Sequence, residues 1–281
     1  MSVAQACRVL GVSRAGYYQN RRQGEPVKDA LASAQVKAAF ATSGQSYGSR
    51  RIRMALAQRG VKMGRFRVRR LMRVNGLRPV WKRKFVNTTN SKHNLPVAPN
   101  LLDRQFNVAQ PDQAWVTDIT YIRTRQGWLY LAVVMDLYAR KIVGWAMAPT
   151  MPTELVTSAL QMALQQRCPP PGLILHSDRG SQYASQAYQS LLAQHGIHCS
   201  MSRLGNCWDN AVMERFFLNL KMERVWQRDY ANHAEAQKDI VHYIVGFYNS
   251  VRLHSTLGYT TPVEYELQVA VKKPIVVSEI T

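Results

Sequence analysis

The sequence predicts an α/β protein in which small all-helical modules precede a mixed five-stranded sheet with helices on both faces. Three observations lead to this prediction. The apolar pattern has a helical period in residues 3–79 and changes to strand-like runs from residue 114 onward. The later elements follow the order βββαβαβα, which a mixed sheet with helices on both faces accommodates. Between the two parts, residues 87–113 are rich in Asn, Pro and Gln and lack a sustained period, as linkers do.

Charge is distributed very unevenly along the chain. Residues 1–110 hold 22 Lys and Arg residues against 3 Asp and Glu, whereas residues 111–281 hold 15 against 14. This asymmetry is typical of a nucleic-acid-binding module joined to a domain with another task. A merely solvated basic surface is the alternative, although solubility does not require charge this one-sided.

Cysteine usage and hydropathy bear on where the protein works. The four cysteines form no CxxC pair, and we find no secretory signal, so a reducing cytoplasm is the expected location. The most hydrophobic segment, residues 129–139, is too short for a membrane span and contains an aspartate. The spacing of His195, His198, Cys199 and Cys207 matches no common zinc finger. We therefore expect neither membrane insertion nor a zinc site.

Two helical modules are expected at the N-terminus. Residues 3–22 have the pattern of a helix-turn-helix, with Cys7 at the helix crossing, Gly11 in the turn and Ser13 as N-cap of the second helix. A second helical pair spans residues 47–79 and is broken at Gly60. Its predicted core consists of Ile52, Leu56, Phe66, Val68, Leu71 and Met72.

Basic clusters in and after this second pair favour phosphate contact. They are 65-RFRVRR-70 and 82-KRK-84. The predicted DNA contacts are Arg65, Arg67, Arg69, Arg70, Lys82, Arg83 and Lys84. The alternative is a small bundle whose arginines are only solvated.

From residue 114 the pattern predicts the elements of the sheet and its helices. Strands are expected at residues 114–123, 128–140, 141–149, 173–176 and 197–202, the first three as an antiparallel meander. Helices are expected at residues 153–167, 185–196 and 208–226. The last of these has apolar residues on nearly every side, which indicates a helix packed between two layers.

Three acidic residues in this region occupy places where a carboxylate needs an explanation. Asp118 lies inside the first strand on an apolar face. Asp178 directly follows a strand, where α/β sheets present functional groups. Glu214 shares an otherwise apolar helix face with Lys221. Oxygen ligands from separate elements are what hard divalent cations require, and two Mg²⁺ ions about 4 Å apart can act on a phosphodiester.

Each acid alone also has a structural interpretation. Asp118 could be a hydrogen-bonded core aspartate, and Asp178 could form an Asx-turn. Glu214 could be the ion-pair partner of Lys221 or Arg215. The acids therefore become informative only when taken together.

Several neighbouring residues are rivals for a functional role. Asp136 competes with Asp118, but we interpret it as structural, with Arg140 as a candidate partner. His176 is interpreted as a hydrogen-bonded residue at a strand end. Arg252 and His254 could either contact DNA or anchor the C-terminal helix, and the sequence does not separate these alternatives.

Spacing and local sequence together resemble a known family. Between Asp178 and Glu214 lie 35 residues, and Lys221 follows the glutamate by seven positions. The segments WVTDITYI, HSDRGSQYAS, GNCWDNAVMERFFLNLKMER and YNSVRLHSTLGYTTPVEY resemble the downstream-frame product (OrfB) of the insertion-sequence-three family of bacterial elements. Arg215 departs from the small residue usual at its position in that family. The resemblance extends from the N-terminal helices to about residue 265.

The resemblance implies a retroviral-integrase-like catalytic core with an RNase H-like fold and a DDE set of acids. In that family Asp118, Asp178 and Glu214 would be the catalytic and metal-binding residues, and Lys221 would contact DNA. The implied cofactor is a pair of Mg²⁺ ions, with Mn²⁺ as a substitute. The implied activity is that of a DNA transposase, which frees a 3′-OH at the element end and joins it to target DNA. A nuclease of the same fold and a DNA-binding regulator with an inactive core are the alternatives.

The resemblance also implies partners. These are double-stranded DNA at the element ends and the target, further copies of the chain on DNA, and the upstream-frame (OrfA) product or a frameshift fusion with it. The family's upstream part supplies a zipper, and this chain shows no sustained heptad repeat. The expected domains are a helix-turn-helix-like segment at 1–26, a basic helical module at 27–86, a linker at 87–110, the catalytic core at 111–268 and a tail at 269–281.

Overall fold

The computed structural model describes residues 2–22, 27–79, 96–203 and 206–272. The chain divides into two compact units, Met1–Pro79 and Val80–Thr281. The first unit is helical. Its helices are α1 (Val3–Val9), α2 (Arg14–Arg22), α3 (Val27–Thr42), α4 (Ser49–Gln58) and α5 (Arg65–Val74).

The turn between α1 and α2 has the predicted features. The Ser13 hydroxyl accepts a hydrogen bond of 3.0 Å from the Gly16 N–H and so caps α2. Gly11 has a φ of +63°, a conformation that glycine adopts without strain. The Cys7 side chain is buried.

Helices α3, α4 and α5 pack against one another. Helix α3 was not predicted as a separate element, because small buried residues such as Ala32 and Ala39 give it little contrast between faces. The predicted core of this region is correct for Ile52, Leu56, Val68, Leu71 and Met72, which are all buried. It is wrong for Phe66, which is 82% exposed.

The second unit contains the predicted mixed five-stranded sheet. Its strands are β1 (Ala114–Thr124), β2 (Gly127–Asp136), β3 (Lys141–Ala148), β4 (Ile174–Ser177) and β5 (His198–Met201). They lie in the order β3-β2-β1-β4-β5. The β1–β2 and β2–β3 pairs are antiparallel, whereas the β1–β4 and β4–β5 pairs are parallel.

Helices cover both faces of the sheet. One apolar cluster joins the sheet to α6 (Thr153–Arg167) and α8 (Gln186–Gln194), which follows the single turn α7 (Ser181–Ala184). The other cluster joins it to α9 (Ala211–Glu223), α10 (His233–Val241) and a π-helical segment (His242–Asn249). Helix α11 (Pro262–Lys272) closes the described chain. None of the described helices has the length and hydropathy needed to cross a membrane.

Helix α6 approaches the sheet closely at Gly144 of β3. A Cβ atom at this position would lie 2.2 Å from the Ala159 carbonyl oxygen and 2.8 Å from the Ala163 Cβ. Only glycine therefore fits between the strand and the helix.

The predicted single helix at 208–226 is wrong in its extent. A 3₁₀ turn (Cys207–Asn210) precedes α9, and a second one (Val225–Gln227) follows it. Arg224 leaves the helical conformation, with φ −137° and ψ −64°, and its guanidinium forms an ion pair of 2.9 Å with Asp239 of α10. Tertiary contact thus ends the helix where the local pattern would continue it.

Candidate active site

Asp118 lies in the middle of β1, on the face that carries Val116 and Ile122 into the cluster with α9. Its Oδ1 accepts a hydrogen bond of 2.7 Å from the Ile119 N–H. Burial raises the pKa of Asp118 well above its ordinary value, and the negative charge of Asp178 raises it further. The carboxylate is therefore held where ionisation is costly.

Asp178 is fixed by the turn that follows β4. Its Oδ1 accepts a hydrogen bond of 2.9 Å from the Gly180 N–H, so the Asx-turn interpretation describes its backbone contact correctly. A Cβ atom at position 180 would lie 3.1 Å from the same oxygen. The small residue thus leaves room for the carboxylate at the strand end.

The register of the sheet brings these two aspartates together. The parallel pairing aligns Ala114 with Ile174 and Val116 with His176. The same offset, continued by two residues, aligns Asp118 with Asp178. Side chains of aligned neighbours point to the same face, which explains why the charge of one carboxylate reaches the other.

Glu214 lies in the first turn of α9. Phe216, Phe217 and Leu220 of this helix are buried in a cluster that also contains residues of the sheet and of α10, as its apolar pattern indicated. Glu214 itself reaches solvent, and partial burial of its carboxylate raises its pKa. Its charge also contributes to the raised pKa of Asp118, although less than that of Asp178.

Lys221 lies on the same helix, two turns after Glu214. Its Nζ is 4.5 Å from the centre of the Tyr121 ring, close enough for a cation–π contact. Burial lowers the pKa of Lys221, and the negative charge of Asp118 acts in the opposite direction. A cation is thus placed near the paired aspartates.

The donor set suits a hard cation, with the two aspartates as its closer pair. Carboxylate oxygens are the ligands that Mg²⁺ prefers, and a cation between Asp118 and Asp178 would relieve the repulsion that raises the pKa of Asp118. Among the described residues, no three His, Cys, Asp or Glu side chains are already grouped around one ion position. The charge of Asp178 acts on Asp118 more strongly than that of Glu214, so the two aspartates are the more strongly coupled pair of the predicted triad.

A buried phenol lies behind the aspartates. Tyr183 is fully buried, and its hydroxyl is 3.3 Å from the Thr117 Oγ1. Burial raises the pKa of Tyr183 well above its ordinary value, and the charge of Asp118 adds to this effect. Sequence reasoning missed this residue, although it closes the motif 178-DRGSQY-183 that Asp178 opens.

A network around Asp209 holds the chain just before α9. The Asp209 side chain is fully buried and accepts hydrogen bonds from Arg203, Arg104 and Asn100 at 2.8–3.0 Å. The Arg203 hydrogen bonds hold the pKa of Asp209 well below its usual range. This network was also missed, although the aspartate stands five residues before Glu214 within the motif GNCWDN.

Asp136 has a structural role, as predicted, but its partner is not Arg140. It is fully buried, pairs with Arg167 at 3.3 Å and accepts a hydrogen bond of 2.9 Å from the Tyr138 N–H. Arg140 instead donates to the Phe106 carbonyl oxygen at 2.8 Å. Burial raises the pKa of Asp136 to about 6.

His176 is a buried residue with hydrogen-bond partners, as predicted. Its Nδ1 lies 2.8 Å from the Ser200 Oγ and its Nε2 lies 3.2 Å from the Ser202 Oγ. Burial lowers the pKa of His176 to about 4, so the ring is neutral near pH 7.

The structure separates the two alternatives for Arg252 and His254 in favour of anchoring. Arg252 is 1% exposed and forms an ion pair of 2.7 Å with Glu223 at the end of α9. His254 is also buried, and its ring is 4.9 Å from that of Tyr248 in an edge-to-face arrangement.

The predicted DNA-contacting arginines of the first unit all lie on α5. Arg67 and Arg70 form ion pairs with Asp29 of α3 at 2.8 and 2.6 Å. Arg65 and Arg69 are exposed. The predicted contacts Lys82, Arg83 and Lys84 lie outside the described residues.

Known proteins identify the family. Models described as "Integrase core domain" match residues 108–207 and 195–262, and one described as "HTH-like domain" matches residues 26–85. Transposase InsF for insertion sequence IS3A of Escherichia coli (strain K12) is 40% identical over 274 residues, which cover 94% of each chain. The chain belongs to the IS3-family transposases. The IS3-family transposase described here is also 47% identical to the insertion element IS600 uncharacterized 31 kDa protein of Shigella sonnei, over 92% of this chain and 96% of that protein.

Membership of the IS3-family transposases has direct consequences. The protein is a DDE polynucleotidyl transferase with an integrase core and an HTH-like domain, and it acts on DNA. The expected integrase-type core is thereby confirmed, together with its mixed five-stranded sheet.

Among solved structures, a simian T-cell lymphotropic virus intasome in complex with PP2A regulatory subunit B56 gamma is similar to this chain. The match has a TM-score of 0.49 and 16% identity, and it covers 76% of this chain and 70% of that one.

Proposed function

We propose that this transposase catalyses two successive phosphoryl transfers at the site formed by Asp118, Asp178 and Glu214. The first hydrolyses the phosphodiester at the element end and frees a 3′-OH. In the second, that hydroxyl attacks a phosphodiester of the target and joins the two DNAs. The observation that carries the proposal is the electrostatic coupling of Asp118 in β1 and Asp178 directly after the parallel strand β4, where the charge of Asp178 raises the pKa of Asp118.

The two aspartates would hold the cofactor, and Glu214 would complete the set. When bound, two Mg²⁺ ions, or Mn²⁺ in their place, would supply Lewis-acid stabilisation of the attacking and leaving oxygens. Glu214 lies exposed in the first turn of α9, and its charge acts on Asp118, so its carboxylate would face the same bound ions. The hydrogen bonds from Ile119 and Gly180 hold the aspartate carboxylates in place for this purpose.

Lys221 would hold a phosphate of the bound DNA beside the carboxylates. Its ammonium group lies over the Tyr121 ring, and the negative charge of Asp118 acts on it. A phosphate that replaces solvent around this ammonium would accept a charge-assisted hydrogen bond from it, which would orient the scissile bond.

We further propose the assembly in which these steps occur. The basic unit before residue 80 would bind the element ends, mainly through phosphates, and the domain limits would be those expected from the sequence. Two ends must be held together for joining, so the active form would be a multimer on DNA. The upstream-frame product, or a fusion with it, would complete end recognition.

The test uses the full chain, a labelled duplex carrying an element end, and Mg²⁺ or Mn²⁺. Wild-type protein is expected to nick the duplex and join the new 3′ end to a second DNA. Glu214→Gln should bind the duplex but neither nick nor join it. Asp229→Asn is the matched control, because this carboxylate forms a surface ion pair with Arg125 and both side chains are mostly exposed.

The other outcomes are equally informative. Nicking that survives in Glu214→Gln would show that catalysis does not require the Glu214 carboxylate. Nicking without joining in the wild type would favour a nuclease. If all three proteins bind and none cuts, even when fused to the upstream-frame segment, the chain acts as a regulator and the proposal fails.

A further inference from the structure

Phe66 is the most exposed large apolar side chain among the described residues, at 82%. It lies in the first turn of α5, whose buried side is formed by Val68, Leu71 and Met72. At about 100° per residue, these three lie 140–240° around the helix from Phe66. Phe66 is thus centred on the outer face of α5, directly opposite the side that packs into the bundle.

Cations surround this phenylalanine on the same outer face. Arg69 and Arg73 are within about 60° of it around the helix, Arg65 precedes it, and all three are exposed. Residues 1–79 contain 17 Lys and Arg residues and only two acidic residues, Glu25 and Asp29. A partner that covers an apolar group ringed by arginines must itself be strongly anionic.

Asp29 fixes the orientation of this outer face. It binds Arg67 and Arg70 at 2.8 and 2.6 Å, and the Asn75 side chain donates to the Ser33 hydroxyl at 2.9 Å. These bonds join both ends of α5 to α3. The arginines of α5 therefore divide into a pair engaged with Asp29 and a set, Arg65, Arg69 and Arg73, that flanks Phe66.

We propose that the outer face of α5 enters the major groove of double-stranded DNA and that Phe66 contacts thymine 5-methyl groups there. Arg65, Arg69 and Arg73, which follow one side of Phe66 along the helix, hold the phosphates of the adjacent strand. The inference rests on the proposed function only because both take DNA as the substrate. It adds a residue that distinguishes thymine from the other bases.

The dimensions and chemistry of the groove agree with this assignment. An α-helix with its side chains is about 10–12 Å in diameter, and the major groove of B-DNA is about 12 Å wide, enough to admit one helix such as α5. The first turn of such a helix is the part that meets base edges. The thymine methyl is the apolar group that the groove presents, so it is the group that an exposed phenyl ring can bury.

The test measures binding of the full chain to an element-end duplex in EDTA, so that no catalytic step is required. A second duplex has every thymine replaced by deoxyuridine, which removes only the 5-methyl groups. The proteins are the wild type, Phe66→Ala and the control Val74→Ala, which removes another exposed apolar side chain from α5 (61% exposed).

The wild type should bind the thymine duplex about 10-fold more tightly than the deoxyuridine duplex, as expected for one good base contact. Phe66→Ala should bind both duplexes equally, at the level of the wild type on deoxyuridine. Val74→Ala should retain the preference for thymine. Because Phe66 is exposed, its replacement should leave the circular dichroism spectrum and melting temperature unchanged.

A Phe66→Ala protein that still prefers the thymine duplex overturns the inference, as does a wild type without that preference. Loss of self-association in Phe66→Ala, with the thymine preference intact, would instead assign Phe66 to an interface between copies. Strand transfer measured on the same proteins separates the two proposals. A thymine preference without any nicking by the wild type would uphold this inference while the proposed function failed.

Discussion

Asp118 and Asp209 are both aspartates of the core unit, yet the protein shifts their pKa values in opposite directions. Asp209 is surrounded by guanidinium groups, and its hydrogen bond with Arg203 lowers its pKa strongly. Asp118 is half-buried beside a second carboxylate, and its pKa is raised. The first arrangement stabilises an anion within the fold, whereas the second concentrates negative charge that a cation from outside the chain could neutralise. A raised pKa alone does not mark a candidate catalytic carboxylate, because the pKa of the structural Asp136 is also raised although it pairs with Arg167. What distinguishes Asp118 from Asp209 is the charge of the group beside it, a carboxylate in one case and guanidinium groups in the other.

The largest effect expected from this comparison is on activity. Asp178→Asn should reduce nicking and joining at least about 10³-fold, because a charged group that stabilises the transition state is removed. Its stability should be unchanged or slightly higher, since the amide can still accept the Gly180 hydrogen bond and no longer repels Asp118. Strand-transfer rates and thermal melting of the same protein check both parts. A clear loss of stability would assign Asp178 to the structural class.

The next largest effect is a loss of stability when the Glu223 carboxylate loses its cationic partner, Arg252. Arg252→Met should lower the free energy of unfolding by about 3–5 kcal/mol, because it leaves a buried anion without its cation. Arg125→Met breaks an exposed pair that solvent screens and should have little effect on stability. Denaturant titration of both variants measures the difference. Equal costs for the two would show that burial does not strengthen the Glu223 pair.

Asp136 gives a pH dependence of known sign. Its pKa is about 6 in the folded protein and about 4 when unfolded, so folding is favoured while the acid is protonated. This contribution is present at low pH and is lost as the pH rises toward and beyond 6. The destabilisation caused by Asp136→Asn should therefore shrink by about 2 kcal/mol between pH 4.5 and 7.5. Denaturation of both proteins across this range tests it, and a constant difference would contradict the raised pKa.

Asp209 should show the opposite dependence with a smaller amplitude. Its folded pKa is depressed, so its stabilising contribution is present above the unfolded pKa of about 4 and is lost as the pH falls below it. The cost of Asp209→Asn should increase by about 1 kcal/mol between pH 3 and pH 5.5. Stability curves for the variant and the wild type over this range measure the change. A cost that falls with rising pH would place Asp209 in the same class as Asp136.

Most of the fold could be predicted from the sequence because its signals are local. Strand alternation and turn residues define the meander. The three prolines that follow residue 168 mark the end of α6, and the predicted helix at 153–167 coincides with Thr153–Arg167. The candidate triad followed from the position of each acid relative to a strand or helix. Its role as a metal site, and the DNA contacts assigned to Lys221 and the arginines, stay predictions.

What the sequence did not reveal depends on residues that meet only in the folded chain. Arg224 ends α9 through an ion pair with Asp239, and neither residue signals the other locally. The partners of Asp209 come from residues 100–104 as well as from nearby Arg203. Phe66 was assigned to the core by its hydrophobicity, although its angular position on α5 already indicated the opposite face.

The register between β1 and β4 constrains how this gene can change over time. Side chains alternate along a strand, so one extra residue before Asp118 would turn its carboxylate to the opposite face and break its alignment with Asp178. Substitutions of similar size can accumulate at Val116 or Ile122 with modest cost, whereas an in-frame insertion or deletion in the same segment removes the site at once. In descendants of this element, residues 114–117 should therefore diverge in identity while their number stays fixed.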